Sequence, residues 1–200
     1  MTRVTPLRAE EVDSSLQEAM AKQRSSLGLV PESLLTMAHR PEIASAWASL
    51  ASSIVGPGTV DRGLKQLVAY VASSTHGCRY CQAHTAHSAE RLGVDPEKLY
   101  HAFEYDTSDL FSEGERAALA LAHAGALVPN EATNEHFDRL KRSFSDEQIV
   151  EIVAVIAMFG YLNRWNDTMA TTLEDTPLTW ASENLSPRTG WAVKEVVDAR

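Results

Sequence analysis

The chain has two cysteines, Cys78 and Cys81, and they stand three residues apart within His76-Gly77-Cys78-Arg79-Tyr80-Cys81-Gln82-Ala83-His84-Thr85-Ala86-His87. A Cys-x-x-Cys pair that opens a helix has a direct chemical consequence. The free amides and dipole of a helix N-terminus favour a thiolate, and Arg79 adds positive charge nearby. The i, i+3 spacing puts both sulfurs on one face, near enough to join once one has been oxidised. His84 follows one turn after Cys81, where it can accept the thiol proton and return it to a departing hydroxide or alkoxide. These residues imply a cycle. A thiolate attacks the O–O bond of a hydroperoxide, a sulfenic acid forms, and the second cysteine condenses with it. The proximity of His84 favours Cys81 as the attacking sulfur, whereas the helix dipole favours Cys78, so the order stays open.

Two other uses of the motif fare worse. A disulfide across so short a loop removes little chain entropy, so a structural staple is not expected. Cys78, Cys81, His84 and His87 are spaced like four zinc ligands, but the nine helical steps between the first and last rise about 13 Å, with successive side chains rotating away. Zinc needs its donors within about 2.0–2.3 Å of one point, so no metal is expected. His87 reads as a supporting, hydrogen-bonded or partly exposed histidine. Tyr80 reads as a packing residue or as part of a substrate channel wall. Trp47, Trp165, Trp180 and Trp191 read as core or interface residues.

The elements that must position this motif are helical throughout. Val12, Leu16, Met20 and Leu27 share a face that stops at Gly28. Pro41 opens a run through Ile43, Ala46, Trp47, Leu50 and Ile54, broken at Val55-Gly56-Pro57-Gly58-Thr59. Leu64, Leu67, Val68, Val71 and Ala72 predict a helix from Asp61 to about Thr75-His76-Gly77, and the cysteine helix then runs to about Leu92. Asp95-Pro96 restarts the chain, and Ser112 with Glu115 and Ser145 with Gln148 are capping boxes. The helix after Ser145 is apolar on nearly every side, which predicts the buried centre of a bundle. Gln66–Ala72 and Glu151–Ala157 echo one another. No segment alternates as a strand does, so the fold expected is an all-α multihelical bundle: a redox domain over residues 1–175 and a tail over 176–200 that wraps it or meets another subunit.

Composition narrows the partners. The formal net charge of −9 and the scattered basic residues argue against nucleic acid and anionic membranes. The stretch Ile152–Leu162 is far shorter than the roughly 20 residues that cross a bilayer, and Met1–Glu10 lacks a signal-peptide core. A cytoplasmic protein is expected. No nucleotide, flavin or haem motif is present, so no cofactor is expected and electrons must come from an external dithiol.

The stretch Gly77–Ala86 resembles the redox motif of the alkylhydroperoxidase D and carboxymuconolactone decarboxylase superfamily. The helix from Asp61 to Thr75 and the apolar helix ending in Asn163-Arg164-Trp165-Asn166-Asp167 fit the same likeness, which spans roughly Pro31 to Glu174. The resemblance implies an all-helical subunit of the alkylhydroperoxidase D-like type in a homo-oligomer, with Cys78 and Cys81 as the redox centre, a small hydroperoxide as substrate and a dithiol protein or lipoyl-type group as reductant. Peroxidases of this family carry a histidine four residues after the second cysteine, here Thr85, with His84 one position early. They also carry a relay glutamate twelve residues before the first cysteine, here Gln66, which hydrogen-bonds but takes no proton. Glu151, at the echoing position, is the candidate for the missing carboxylate. The alternatives are a redox-sensing disulfide protein and a non-redox enzyme acting on a small lactone or acid.

Overall fold

Asp61 accepts a hydrogen bond from the Leu64 amide at 3.0 Å and so caps the helix around which the molecule is built. The computed structural model describes residues 2–193, and among them it contains eleven α-helices and no strand. These are α1 (Gln17–Leu27), α2 (Glu32–Met37), α3 (Pro41–Val55), α4 (Arg62–His76), α5 (Arg79–Arg91), α6 (Pro96–Tyr100), α7 (Glu113–Ala126), α8 (Asn134–Leu140), α9 (Asp146–Met169), α10 (Asp175–Asn184) and α11 (Ser186–Thr189).

The fold is all-α, and its centre is α4. Leu67, Val68, Ala69, Val71 and Ala72 are all 1% exposed or less, and α4 packs against α5, α7 and α9. Alanines at the contacts let the axes approach: α7 buries Ala117, Ala118, Ala120 and Ala122, and α5 buries Ala83, Ala86 and Ala89. Both expected capping boxes form, with Ser112 accepting from the Glu115 amide and Ser145 from the Gln148 amide, each at 3.3 Å.

Three sequence expectations change. The apolar helix α9 is not the buried centre: one side carries Ile152, Val155 and Leu162 into the core, while Val150, Val153 and Tyr161 are 68%, 38% and 42% exposed. An all-round apolar sequence shows that a helix can be buried on any side, not that the chain supplies a cover for each. The first helix also starts later than Val12. Asp13 accepts from the Ser15 amide, and single 3-10 turns at Ala9–Glu11 and Ser14–Leu16 precede α1. Residues 175–184 and 186–189 are helical rather than patternless. There α10 packs on α5, and the buried Trp191 donates its indole N–H to the Arg79 carbonyl at 3.2 Å. The rest of the expected tail, residues 194–200, lies outside the described residues.

Candidate active site

The cysteine motif sits where α4 reverses into α5. Gly77, at φ 86°, takes the left-handed turn, and the Gly77 and Cys78 amides both donate to the Ser73 carbonyl (3.0 and 3.1 Å). Cys78 is the N-cap of α5, with its carbonyl accepting from the Gln82 amide at 3.0 Å. Both cysteines are free thiols and buried, at 0% and 2% exposure.

They do not face the same space. A cavity of about 650 Å³ opens between α1, α3, α4, α5 and α9, and Cys81 is in its wall, whereas Cys78 is not. Around Cys81 the wall is formed by Tyr80, His84 and Thr85 of α5, Trp47 of α3, Met158, Phe159, Leu162 and Asn166 of α9, and Gln66 of α4. The Asn166 side-chain amide donates to the Cys81 sulfur at 3.4 Å. Burial pushes the Cys81 thiol well above its ordinary pKa, the adjacent Cys78 adds to the rise, and the Asn166 donor opposes it. At neutral pH Cys81 is a thiol that needs a base or a bound substrate to expose its thiolate.

His84 has a half-buried carboxylate partner. Nε2 of His84 lies 2.6 Å from Oε2 of Glu174, while Oε1 of Glu174 accepts from the Tyr80 hydroxyl at 2.7 Å and the Glu32 amide at 2.6 Å. Burial works to raise the Glu174 pKa, but His84, the Glu32 amide and the Tyr80 hydroxyl together hold it below the usual carboxylate value. The same carboxylate, with burial, drives the Tyr80 phenol well above its own. With Nε2 engaged by Glu174, the His84 ring also lines the cavity.

Sequence reasoning missed Glu174, for a clear reason. It lies ninety residues from His84 and belongs to no local motif. Its position follows from Ala170, at φ 51°, which ends α9 in a left-handed turn and sends the chain back along α5, so that Glu174 becomes the N-cap of α10. Asn166 was inside the stretch that carried the family likeness, but only the packing of α9 on α5 gives it Cys81 as a partner.

The remaining candidates divide. Gln66 lines the cavity. His87 does not. It packs beside Trp180 with ring centroids 5.6 Å apart, and burial followed by Arg91 lowers its pKa. Glu151 is committed elsewhere. It pairs with the fully buried Lys65 at 2.5 Å and accepts from the Thr59 amide at 2.7 Å and the Val60 amide at 3.3 Å, and its pKa falls to about 2, chiefly through Lys65. The carboxylate beside His84 is Glu174, not Glu151.

Comparison with known proteins follows this geometry. Residues 41–124 match the Carboxymuconolactone decarboxylase family. The debrominase Bmp8 is 39% identical in its apo structure, covering 92% of this chain and 98% of its own, with a TM-score of 0.84. A cysteine-to-alanine variant of Bmp8 in complex with 2,3,4-tribromopyrrole is 38% identical, with a TM-score of 0.84 over 92% and 97% of the two chains. An uncharacterised peroxidase-related protein from Ralstonia eutropha JMP134, with an alkylhydroperoxidase AhpD core, shares the fold at 21% identity, with a TM-score of 0.76 over 88% of this chain and 94% of its own. YdfG, an uncharacterised protein of Bacillus subtilis (strain 168), is 27% identical over 110 residues, 54% of this chain and 72% of its own. The chain belongs to the carboxymuconolactone decarboxylase family, and it shares its fold with the alkylhydroperoxidase D core.

Proposed function

We propose that the protein is a two-cysteine reductase that delivers two electrons to a small organic electrophile held in the cavity. The observation that carries this reading is the unequal placement of the two sulfurs. Cys81 lies in the cavity wall with Asn166 donating to it, and Cys78 stands behind it on the same helix turn. Cys81 is then the attacking thiol and Cys78 the resolving one. His84, backed by Glu174, holds the proton in transit.

A carbon–halogen bond is the first substrate class, on the 38% identity to Bmp8 over nearly the whole of both chains and on a cavity walled by Trp47, Tyr80 and Phe159 that suits a ring. The Cys81 thiolate takes the halogen, the carbon–halogen bond breaks, and the carbon left with the electron pair takes a proton from His84. The Cys78 thiolate then displaces halide from the Cys81 sulfur, forming the disulfide. One halide leaves, the ring gains one hydrogen, and the two thiols have supplied both electrons.

A hydroperoxide is the second class, favoured by the Cys-x-x-Cys pair itself. Cys81 takes the terminal oxygen, the alkoxide takes the His84 proton, and Cys78 condenses with the sulfenic acid to release water. In either case an external dithiol or lipoyl-type reductant restores the pair. The reading includes a cytoplasmic homo-oligomer.

The test incubates the protein and a dithiol with 2,3,4-tribromopyrrole or with cumene hydroperoxide, following bromide or alcohol. Wild type should turn over repeatedly on one of the two. Cys81→Ser should lose the reaction, and Cys78→Ser should stop after one equivalent. A stoichiometric response in wild type would make the protein a redox sensor. Activity on a lactone or other small acid that survives replacing both cysteines would make it a non-redox enzyme.

A further inference from the structure

The cavity has a charge opposite to that of the protein. The chain carries 27 acidic and 18 basic residues, yet the charged side chains lining the cavity are Lys22, Arg62 and Arg91, with no carboxylate among them. All three are exposed. Among the described residues none of the three forms an ion pair with a carboxylate; Lys22 donates to the Ser52 hydroxyl.

Their placement follows from the fold. Along one face of α5 the wall runs from the buried Cys81 through His84 and Ser88 to the exposed Arg91. Along α4 it runs from the exposed Arg62 to the half-buried Gln66. The two helices form an antiparallel hairpin, so the start of α4 meets the end of α5. A Cβ at Gly63 would stand 2.7 Å from the Val94 side chain. Arg62 and Arg91 therefore belong to the same open end of the cavity, and Cys81 to the closed end. The ten residues from Cys81 to Arg91 rise about 15 Å along the axis, and an arginine side chain leans back toward the helix N-terminus, which shortens the span to about a ring with a short chain.

We infer that the substrate is an organic acid whose carboxylate is held by Arg62 and Arg91 at the mouth while its apolar, ring-bearing body reaches Cys81 between Trp47 and Phe159. The planar guanidinium fork matches a carboxylate, and the low-dielectric aromatic walls focus the field of the three cations on an entering anion. The reductase reading supplies the identity of the reacting end; the anion site stands on the charge and exposure pattern alone.

Binding can be separated from chemistry in the Cys78→Ser/Cys81→Ser protein, titrated calorimetrically with 4-(4-bromophenyl)butanoate and its neutral amide. The acid should bind at least about tenfold more tightly than the amide at low salt, with the advantage shrinking several-fold at about 0.5 M salt. Arg62→Gln and Arg91→Gln should each cut the preference several-fold, and the double variant should erase it while leaving amide binding in place. Equal binding of acid and amide, a preference that survives loss of both arginines, or no binding of either probe overturns the inference. The two readings fail separately. An acid preference in a protein that turns over neither peroxide nor bromopyrrole leaves the anion site and removes the reductase, and turnover without an acid preference does the reverse.

Discussion

Glu151 and Glu174 are both carboxylates held below their usual pKa, and they sit in opposite surroundings. Glu151 is bound to Lys65, which is 1% exposed, and to the amides of the 59–60 turn. The Gly58 backbone lies close against it: a Cβ there would stand 2.5 Å from its Oε2. Glu174 is bound to His84, which lines the cavity, and to the Tyr80 hydroxyl. The pair teaches that a depressed carboxylate pKa does not identify a relay. What separates the two is the partner: Glu151 meets a fully buried lysine, and Glu174 meets a histidine that lines the cavity.

That contrast can be broken at four points. The largest expected effect is on stability. Glu151→Gln strands the buried Lys65 ammonium and should cost about 3 kcal/mol, lowering the thermal midpoint by roughly 6–12 °C for a chain of this size. Activity per folded molecule should be unchanged, and a variant that loses turnover while melting like wild type would make Glu151 a relay after all. Next, Glu174→Gln keeps an oxygen for Tyr80 and the Glu32 amide but cannot stabilise a protonated His84. Its turnover should fall about 10²-fold, with a stability loss of only about 1–2 kcal/mol. A larger loss of stability than of rate would reassign Glu174 to a structural role like that of Glu151.

A smaller effect is expected at Asn166. Asn166→Ala removes the donor on Cys81, so the thiol pKa should rise further and alkylation of Cys81 at neutral pH, measured in the Cys78→Ser background, should slow roughly fivefold. Unchanged alkylation would mean the contact orients the sulfur without tuning it.

The last effect is a pH dependence whose sign follows from the two depressed pKa values. Each carboxylate contributes stability that is complete above the ordinary glutamate value of about 4.3 and fades as the pH falls below it. For Glu151 the loss continues down through about pH 2. Denaturant unfolding along a pH series should therefore show a slope below about pH 4 that Glu151→Gln removes and Glu174→Gln reduces. A slope untouched by Glu151→Gln would assign the acid sensitivity to other groups.

Much of this was legible before the structure. The hairpin that carries the site announces itself through Asp61 as a cap, Gly77 as a left-handed stop and a 3.6-residue repeat between them. The cysteine pair and His84 were legible because helical spacing is local. Gln66, named from its place on the neighbouring helix, lines the cavity. Glu151 was a misreading of like sequence as like role. Gln66–Ala72 and Glu151–Ala157 look alike because both helices are rich in apolar residues, but Gln66 turns to the cavity while Glu151 turns to Lys65. Lys65 gave no warning, since a lysine among apolar residues reads as the solvent side of an amphipathic helix.

By itself, then, the sequence determined the central helices from Asp61 onward, the caps at Asp61, Gly77, Ser112 and Ser145, the cysteine pair and the histidine one turn on, because each depends on residues within a few positions of one another. Tertiary structure decided which sulfur meets the cavity, which carboxylate meets the histidine, and that a net acidic chain keeps its cavity mouth for cations. Those facts join residues as far apart as His84 and Glu174, or Cys81 and Asn166. They are fixed by the packing of α9 and α10 on α5 and by the left-handed turn at Ala170, which nothing in the spacing of the residues expresses.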